Sequence, residues 1–372
     1  MKHDIAIVQD SLTSRGGGEL FSYILAKHYK APVYTSRFTP GNTFEELSGV
    51  EVIEINPSKT PKGVSGKALS RLSDAKKFEA LDLNGFESVV LSGTEAQFAA
   101  TKNPRNVLYC HTPARALYDL YHPLQRRHSS LAGRLSHKLW SSVMIPWDQK
   151  IVREKVNKIV ANSKNTYLRI LRYYGRDDAL VINPPIMTKI FKPGKPKGYF
   201  LSVQRVMPFK RVELQLDVFS QLPKERLVMV GEWEGGEFQE KIKKRISSME
   251  NVEWRTGVSD NELAGLYSHS KAVIQTAMFE DFGRVPVEAN ASGKACLAVG
   301  EEGFTESIAH GKTGLLIEPP YRENFVKALK EFDAGDFKLK DLLGNAKRFS
   351  EEAFFKKFDP VVEQAANSAA KR

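Results

Sequence analysis

The sequence predicts an α/β protein built from two doubly wound, Rossmann-like parallel-sheet domains, and three observations predict it. Short β-branched runs alternate with longer amphipathic stretches along the chain, the pattern of right-handed βαβ units. The 372 residues suit two domains at about 100–200 residues each. A stretch of linker composition, Asn183–Gly198 (NPPIMTKIFKPGKPKG), divides the chain near its middle, with four prolines and two glycines in sixteen residues.

The elements follow in order. The first strand is expected at Ile5–Gln9, where four apolar residues follow the polar start MKHD. Val33–Ser36, Glu51–Ile55, Ser88–Leu91, Asn106–His111 and Lys158–Asn162 continue the first sheet as short apolar runs. The second sheet begins at Tyr199–Gln204 and takes in Leu227–Val230, Val252–Arg255, Ala272–Gln275, Ala295–Ala298 and Gly314–Ile317. Helical spacing marks Glu19–His28, Val212–Gln221, Glu237–Met249, Asn261–His269 and Glu323–Phe332. The expected organisation is a first domain over 1–183, a linker over 184–198 and a second domain over 199–350. A final helix over 351–372, with Phe354, Phe355, Phe358 and Val361, is expected to cross back to the first domain. Two such domains would face each other across a cleft, and ligands bind beyond the carboxyl ends of their strands.

Composition narrows the class. Hydrophobic residues make up 41% and charged residues 27%, which is globular rather than fibrous or low-complexity. The longest run without a charge is the ten residues Ala179–Thr188, too short for a spanning helix, which needs about 20. The apolar start is also too short for a signal peptide. Cys110 and Cys296 each sit in a strand-like run and read as buried free thiols, so a cytoplasmic setting is expected. The formal charge of +11 is concentrated: residues 102–176 hold fifteen Lys and Arg against Asp119, Asp148 and Glu154. Such a block favours an anionic partner, whether phosphate, acidic lipid or nucleic acid.

The most informative segment is Phe279–Gly293, FEDFGRVPVEANASG. Glu280 follows a strand, and Glu288 comes eight positions later, across a turn at Gly283 and the start of a helix at Arg284. Amides at a helix start bind phosphate oxygens, and carboxylates on either side accept hydrogen bonds from hydroxyls. That layout suits a sugar, a diphosphate and a ribose in line. In Ser202–Arg211, SVQRVMPFKR, a guanidinium at Arg205 and an ammonium at Lys210 could converge in one loop and neutralise a departing diphosphate. Three contiguous glycines, Gly16, Gly17 and Gly18, precede the first helix; they can cradle phosphate but lack dinucleotide spacing.

The segment E-D-F-G-x-x-P-V-E-A resembles the E-x7-E signature of retaining glycosyltransferases of family four, glycosyl transferases group 1, which have the GT-B fold. The resemblance is close over residues 199–320 and looser before. It implies that Arg205 and Lys210 stabilise the diphosphate, that Glu280 binds the sugar hydroxyls and that Glu288 binds the ribose. It also implies donor contacts at Gly16, Gly17, Gly18, Gly231 (in V-G-E), Val258 (in GVSDNEL), Gly283, Arg284 and Val285. EGFTESI (302–308) and GKTGL (311–315) complete the pattern. His111, in YCHTP, matches a family histidine that contacts the transferred sugar. No D-x-D occurs among the fifteen aspartates, so no metal and no cofactor are expected, with basic residues as the electrostatic clamp.

The implied reaction moves a hexose from a nucleotide sugar to an acceptor hydroxyl with retention. Within the family, EDFGRVPVEA and YCHTP resemble mannosyltransferases of surface-polysaccharide and lipid-linked glycan assembly. GDP-mannose is therefore the first donor and a glycan or lipid-linked molecule the first acceptor. Ser92 and Thr94 are candidate acceptor contacts. In the basic block, Arg126, Arg127, Lys138 and Trp140 are candidates for acceptor or peripheral contact with an anionic membrane, because tryptophans beside cations suit that interface. The expected place is the cytoplasm, at the inner face of a membrane. Three rivals remain at this point: a nucleotide-sugar 2-epimerase of the same fold, a nucleotide-sugar binder without catalysis, and a basic nucleic-acid-binding protein, the last disfavoured by the sugar-nucleotide motifs.

Overall fold

The computed structural model describes residues 4–55, 64–122, 125, 130–232 and 235–368. The chain forms two compact units, one running to Asn183 and resuming at Phe355, the other Pro184–Phe354.

The first unit is a seven-stranded sheet of β1 (Ile5–Gln9), β2 (Val33–Thr35), β3 (Val52–Glu54), β4 (Ser88–Ser92), β5 (Asn106–Cys110), β6 (Lys158–Ala161) and β7 (Leu180–Val181). Its order is β3-β2-β1-β4-β5-β6-β7, with every pair parallel. All residues of β1, β4 and β5 are buried, as expected of strands covered by helices on both faces. Strand β7 escapes the sequence reading because it is two exposed residues at the sheet edge, with no apolar alternation to reveal it. His111 lies one residue beyond β5 rather than at its end. The helix Glu351–Ala366 enters this unit from Phe355 onward. Phe355 stacks on His28, Phe358 meets Tyr109 edge-on, and the Tyr29 hydroxyl donates to Asp359 at 2.8 Å.

The second unit is a six-stranded parallel sheet: β8 (Tyr199–Val203), β9 (Arg226–Val230), β10 (Val252–Arg255), β11 (Val273–Gln275), β12 (Cys296–Val299) and β13 (Gly314–Ile317). Its order is β10-β9-β8-β11-β12-β13. Residues 184–198, read as a linker, fold with this unit, and Ile186 and Phe191 are buried in its core. The helix expected over Glu237–Met249 stops at Ile246, and two serines and a turn take the chain to Met249.

Both sheets reverse direction at one point, between β1 and β4 in the first unit and between β8 and β11 in the second. Connections leave in opposite directions there, which opens a crevice at the carboxyl ends of the two strands. Topology thus names two loop pairs before any side chain is considered: those after β1 and β4, and those after β8 and β11. Cys110 on β5 and Cys296 on β12 are buried and form no disulfide.

Candidate active site

In the second unit, backbone bonds tie the loops after β8 and β11 to each other. The Met278 amide donates to the Phe209 carbonyl at 2.7 Å, and Thr276 Oγ1 donates to the Lys210 carbonyl at 2.9 Å. This stitching fixes where Lys210 and Glu280 project. Lys210 Nζ donates to Glu280 Oε2 at 2.7 Å, with both side chains mostly buried. The next residue, Arg211, takes a left-handed backbone (φ 48°) and is held by a two-pronged pair with Glu301 at 2.8 and 3.3 Å. An arginine at that φ is uncommon, and the fork to Glu301 offsets the strain.

Glu280 is also anchored through its backbone, its carbonyl accepting from the Gly303 amide at 3.0 Å. A Cβ on Gly303 would lie 2.5 Å from the Phe282 nitrogen, so only glycine permits this approach. Gly283 (φ 81°) then opens the helix Arg284–Ala291 without a side-chain cap, leaving the first-turn amides at Arg284 and Val285 without a capping acceptor. Glu288 lies one turn into that helix. It accepts from the buried Tyr267 hydroxyl at 2.7 Å and from Arg284 Nη2 at 3.2 Å. Burial, then the neighbouring Glu288 carboxylate, holds the Tyr267 phenol well above its ordinary range, so it remains a donor.

The loops after β9 and β10 join the same end of the sheet. Gly231 packs so closely that a Cβ would lie 2.0 Å from the Gln204 carbonyl, and its own carbonyl accepts from Trp254 Nε1 at 3.0 Å. Val258 is half-buried against the core, just before the helix Asp260–His269, whose start is closed by a reciprocal Ser259–Glu262 capping box. Arg205 is exposed in the β8 loop. Beside it, Gln204 is buried with neither side-chain polar atom hydrogen-bonded among the described residues. Sequence reasoning passed over Gln204 as the last residue of a strand; its signal was a polar residue ending an apolar run next to a basic loop.

In the first unit the residues after β1, β4 and β5 converge. Ser92 Oγ lies 3.0 Å from His111 Nε2, and His111 meets Phe21 and Tyr109 edge-on, which fixes its ring. Gly16 caps the helix Gly17–Tyr29 without a side-chain bond, and a Cβ on Gly18 would come 4.0 Å from the His111 ring. Thr94 is held by Asp10, which also accepts from the amides of Glu95 and Ala96, at 2.7, 2.9 and 2.6 Å for the three amides. Burial, then the Glu95 carboxylate, raises the Asp10 carboxyl well above its usual range. Asp10 was not singled out from sequence; its signal was an acid directly after a buried strand. A Cβ on Gly93 (φ 137°) would overlap the Asp10 carboxyl, so this bracket requires glycine.

The residues of the basic block separate. Arg126 and Arg127 lie outside the described residues. Lys138 is exposed on the helix Leu131–Glu154, whereas Trp140 turns inward and is only 7% exposed, within the core. Its apolar ring is better covered there than in water. Trp147 is partly buried and donates to Glu79 at 3.2 Å. Among the described residues, no group of three or more His, Cys, Asp or Glu is arranged to hold a metal ion. No described helix is long and apolar enough to cross a membrane.

What this arrangement offers is a cation and a carboxylate held together beside uncapped helix amides, at a sheet's reversal point. Known proteins resemble the chain in sequence and in fold. Residues 186–349 match the model of glycosyl transferases group 1. The chain is 25% identical to alpha-1,3/1,6-mannosyltransferase ALG2 of Dictyostelium discoideum, over 95% of this chain and 96% of that one. It is 24% identical to a D-inositol 3-phosphate glycosyltransferase of Streptomyces avermitilis, over 53% of this chain and 48% of that one. Among solved structures, Anabaena HepE in complex with UDP and glucose superposes with a TM-score of 0.74 at 17% identity, covering 97% of this chain and 99% of that one. Sucrose-phosphate synthase of Thermosynechococcus elongatus gives 0.75 at 15%, covering 97% and 98%. The two parallel-sheet units are thus those of the GT-B fold, and the family likeness to glycosyl transferases group 1 lies in residues 186–349, within the second unit.

Proposed function

We propose that this chain is a retaining hexosyltransferase that needs no metal and moves mannose from GDP-mannose to a hydroxyl of a glycan or lipid-linked acceptor. The observation that carries the reading is the Lys210–Glu280 pair at 2.7 Å, set beside the uncapped start of the helix Arg284–Ala291. A departing nucleoside diphosphate is the largest charge to develop in glycosyl transfer. The Lys210 ammonium, the Arg205 guanidinium and the Arg284 and Val285 amides can meet it without a divalent ion. Glu280 then accepts hydrogen bonds from the sugar hydroxyls, and Glu288 receives the ribose from the far side of the helix start.

The family resemblance of the E-x7-E segment implies retention by front-face attack. Retention is therefore assigned to attack on the face that the leaving group vacates, with a diphosphate oxygen taking the acceptor's proton. His111, braced by Ser92, keeps the role of sugar contact that the family resemblance implies. Mannose and guanine rest on the likeness to the ALG2 mannosyltransferases, together with the EDFGRVPVEA and YCHTP segments.

Calorimetric titration with GDP, UDP and ADP in EDTA, repeated with Mg²⁺, tests the reading. Micromolar GDP binding in EDTA that is lost in Lys210→Ala is the expected result. Preference for UDP would replace the donor, and no binding to any diphosphate would overturn the reading. The anomeric configuration of the product, read by NMR, tests retention separately.

A further inference from the structure

The helix Leu131–Glu154 has an exposed face that the fold leaves uncovered. Its inner side, Trp140, Ser141, Met144, Asp148, Ile151 and Val152, is buried. On the other side Leu131, Leu135, Leu139 and Val143 are 73%, 57%, 69% and 53% exposed. Four apolar side chains spaced four apart form one stripe, drifting by only about 40° per step at 3.6 residues per turn. A continuous apolar stripe on an outer helix face needs a partner, because each of these side chains would be better placed out of water.

The charges beside the stripe say which partner. Arg134 and Lys138 are exposed on its flank, and from Leu131 to Trp147 the sequence contains no acidic residue. Leucines with cations alongside and no carboxylate are the composition of a helix lying in the plane of an anionic bilayer surface. A protein partner of matching shape would be expected to draw carboxylates into such a rim, and nucleic acid would leave the leucines unused.

We propose that the helix Leu131–Glu154 docks in the interface of an anionic lipid bilayer through Leu131, Leu135, Leu139 and Val143, with Arg134 and Lys138 pairing to lipid phosphates. This moves the membrane contact from the tryptophans, which face inward, to the leucines one position before and around them. It stands apart from the donor reading, since vesicle binding needs no nucleotide.

The test is co-sedimentation of the full chain with phosphatidylcholine vesicles, with and without phosphatidylglycerol, at low and high salt. The wild type should sediment with the anionic vesicles, and Leu135→Glu with Leu139→Glu should lower its partition by about tenfold or more. Arg134→Ser with Lys138→Ser should weaken binding and flatten its salt dependence. Circular dichroism melting checks the fold. If the double leucine variant melts early, Leu139→Gln, which changes a single exposed side chain, decides by the same assay. Absence of sedimentation, or equal sedimentation of the leucine variants, overturns the proposal. So does displacement from vesicles by duplex oligonucleotide with the leucines irrelevant. A wild-type dimer in light scattering that Leu135→Glu dissolves would assign the stripe to a second copy instead.

Discussion

At the residue scale, the candidate site is built from pairs rather than single groups. Lys210 and Glu280 satisfy each other at 2.7 Å, so removing either leaves the other to find new partners and, on the proposed function, takes one charged contact from the donor. Glu280→Gln and Lys210→Ala are each expected to lower kcat/KM at least tenfold, about 1.5 kcal/mol for a lost charged hydrogen bond. If both variants stay within twofold of wild type at unchanged melting temperature, the site lies elsewhere. A second residue-scale prediction concerns Asp148, fully enclosed in the first unit, which accepts from the Tyr118 hydroxyl at 2.5 Å and from Gln97. Burial pushes its carboxyl from 3.8 up to about 7, although the bonds from Tyr118, Tyr174 and Gln97 pull the other way. The folded chain therefore keeps a proton there that the unfolded chain releases. This group's contribution to stability is greatest below pH 3.8 and is lost as pH rises towards 7. Urea midpoints at pH 5 and pH 8 should fall more for the wild type than for Asp148→Asn, and parallel changes in the two would rule the assignment out.

At the element scale, the loops at the carboxyl end of the second sheet are positioned by close backbone contacts that tolerate no side chain. Gly231 is the clearest case, because the atom its Cβ would strike is the Gln204 backbone carbonyl and not a movable side-chain end. Gly231→Ala should lower the melting temperature by several degrees, on the order of 1–3 kcal/mol for overpacking. It should also weaken nucleotide binding, since the β8 and β9 loops must part. An unchanged melting temperature and affinity would show that the two loops are not coupled. Which elements exist was legible in sequence wherever an apolar run lay between turn residues: β1, β4, β5, β8 and β9 all coincide with such runs. β7 was not legible, because an exposed two-residue edge strand carries no burial pattern. The spacing of Glu280 and Glu288 across Gly283 was legible as a motif. The bracket of Asp10 on Thr94, Glu95 and Ala96 was not, because its partners lie more than eighty positions apart.

At the scale of the whole molecule, the chain leaves its first unit at Asn183 and returns to it at Phe355. The returning segment is structural: Phe358, Val361, Val362 and Ala365 are all buried there. Ending the chain at Phe354 should therefore cost the first unit its stability, since truncating even one buried Phe costs roughly 3–5 kcal/mol. Loss of protease resistance in that unit is the expected outcome, and a fully resistant truncated chain would contradict it. The sequence by itself determined the fold class and the spacing of Glu280 and Glu288 across Gly283, because these depend on local periodicity and on residues close together along the chain. Only the tertiary structure decided that Lys210 pairs with Glu280, that Arg211 pairs with Glu301, and that Trp140 faces inward while Leu135 and Leu139 face out. Those outcomes depend on which strands become neighbours and which helix face the core covers. Both are settled by the packing of segments distant in sequence, and no local pattern encodes them.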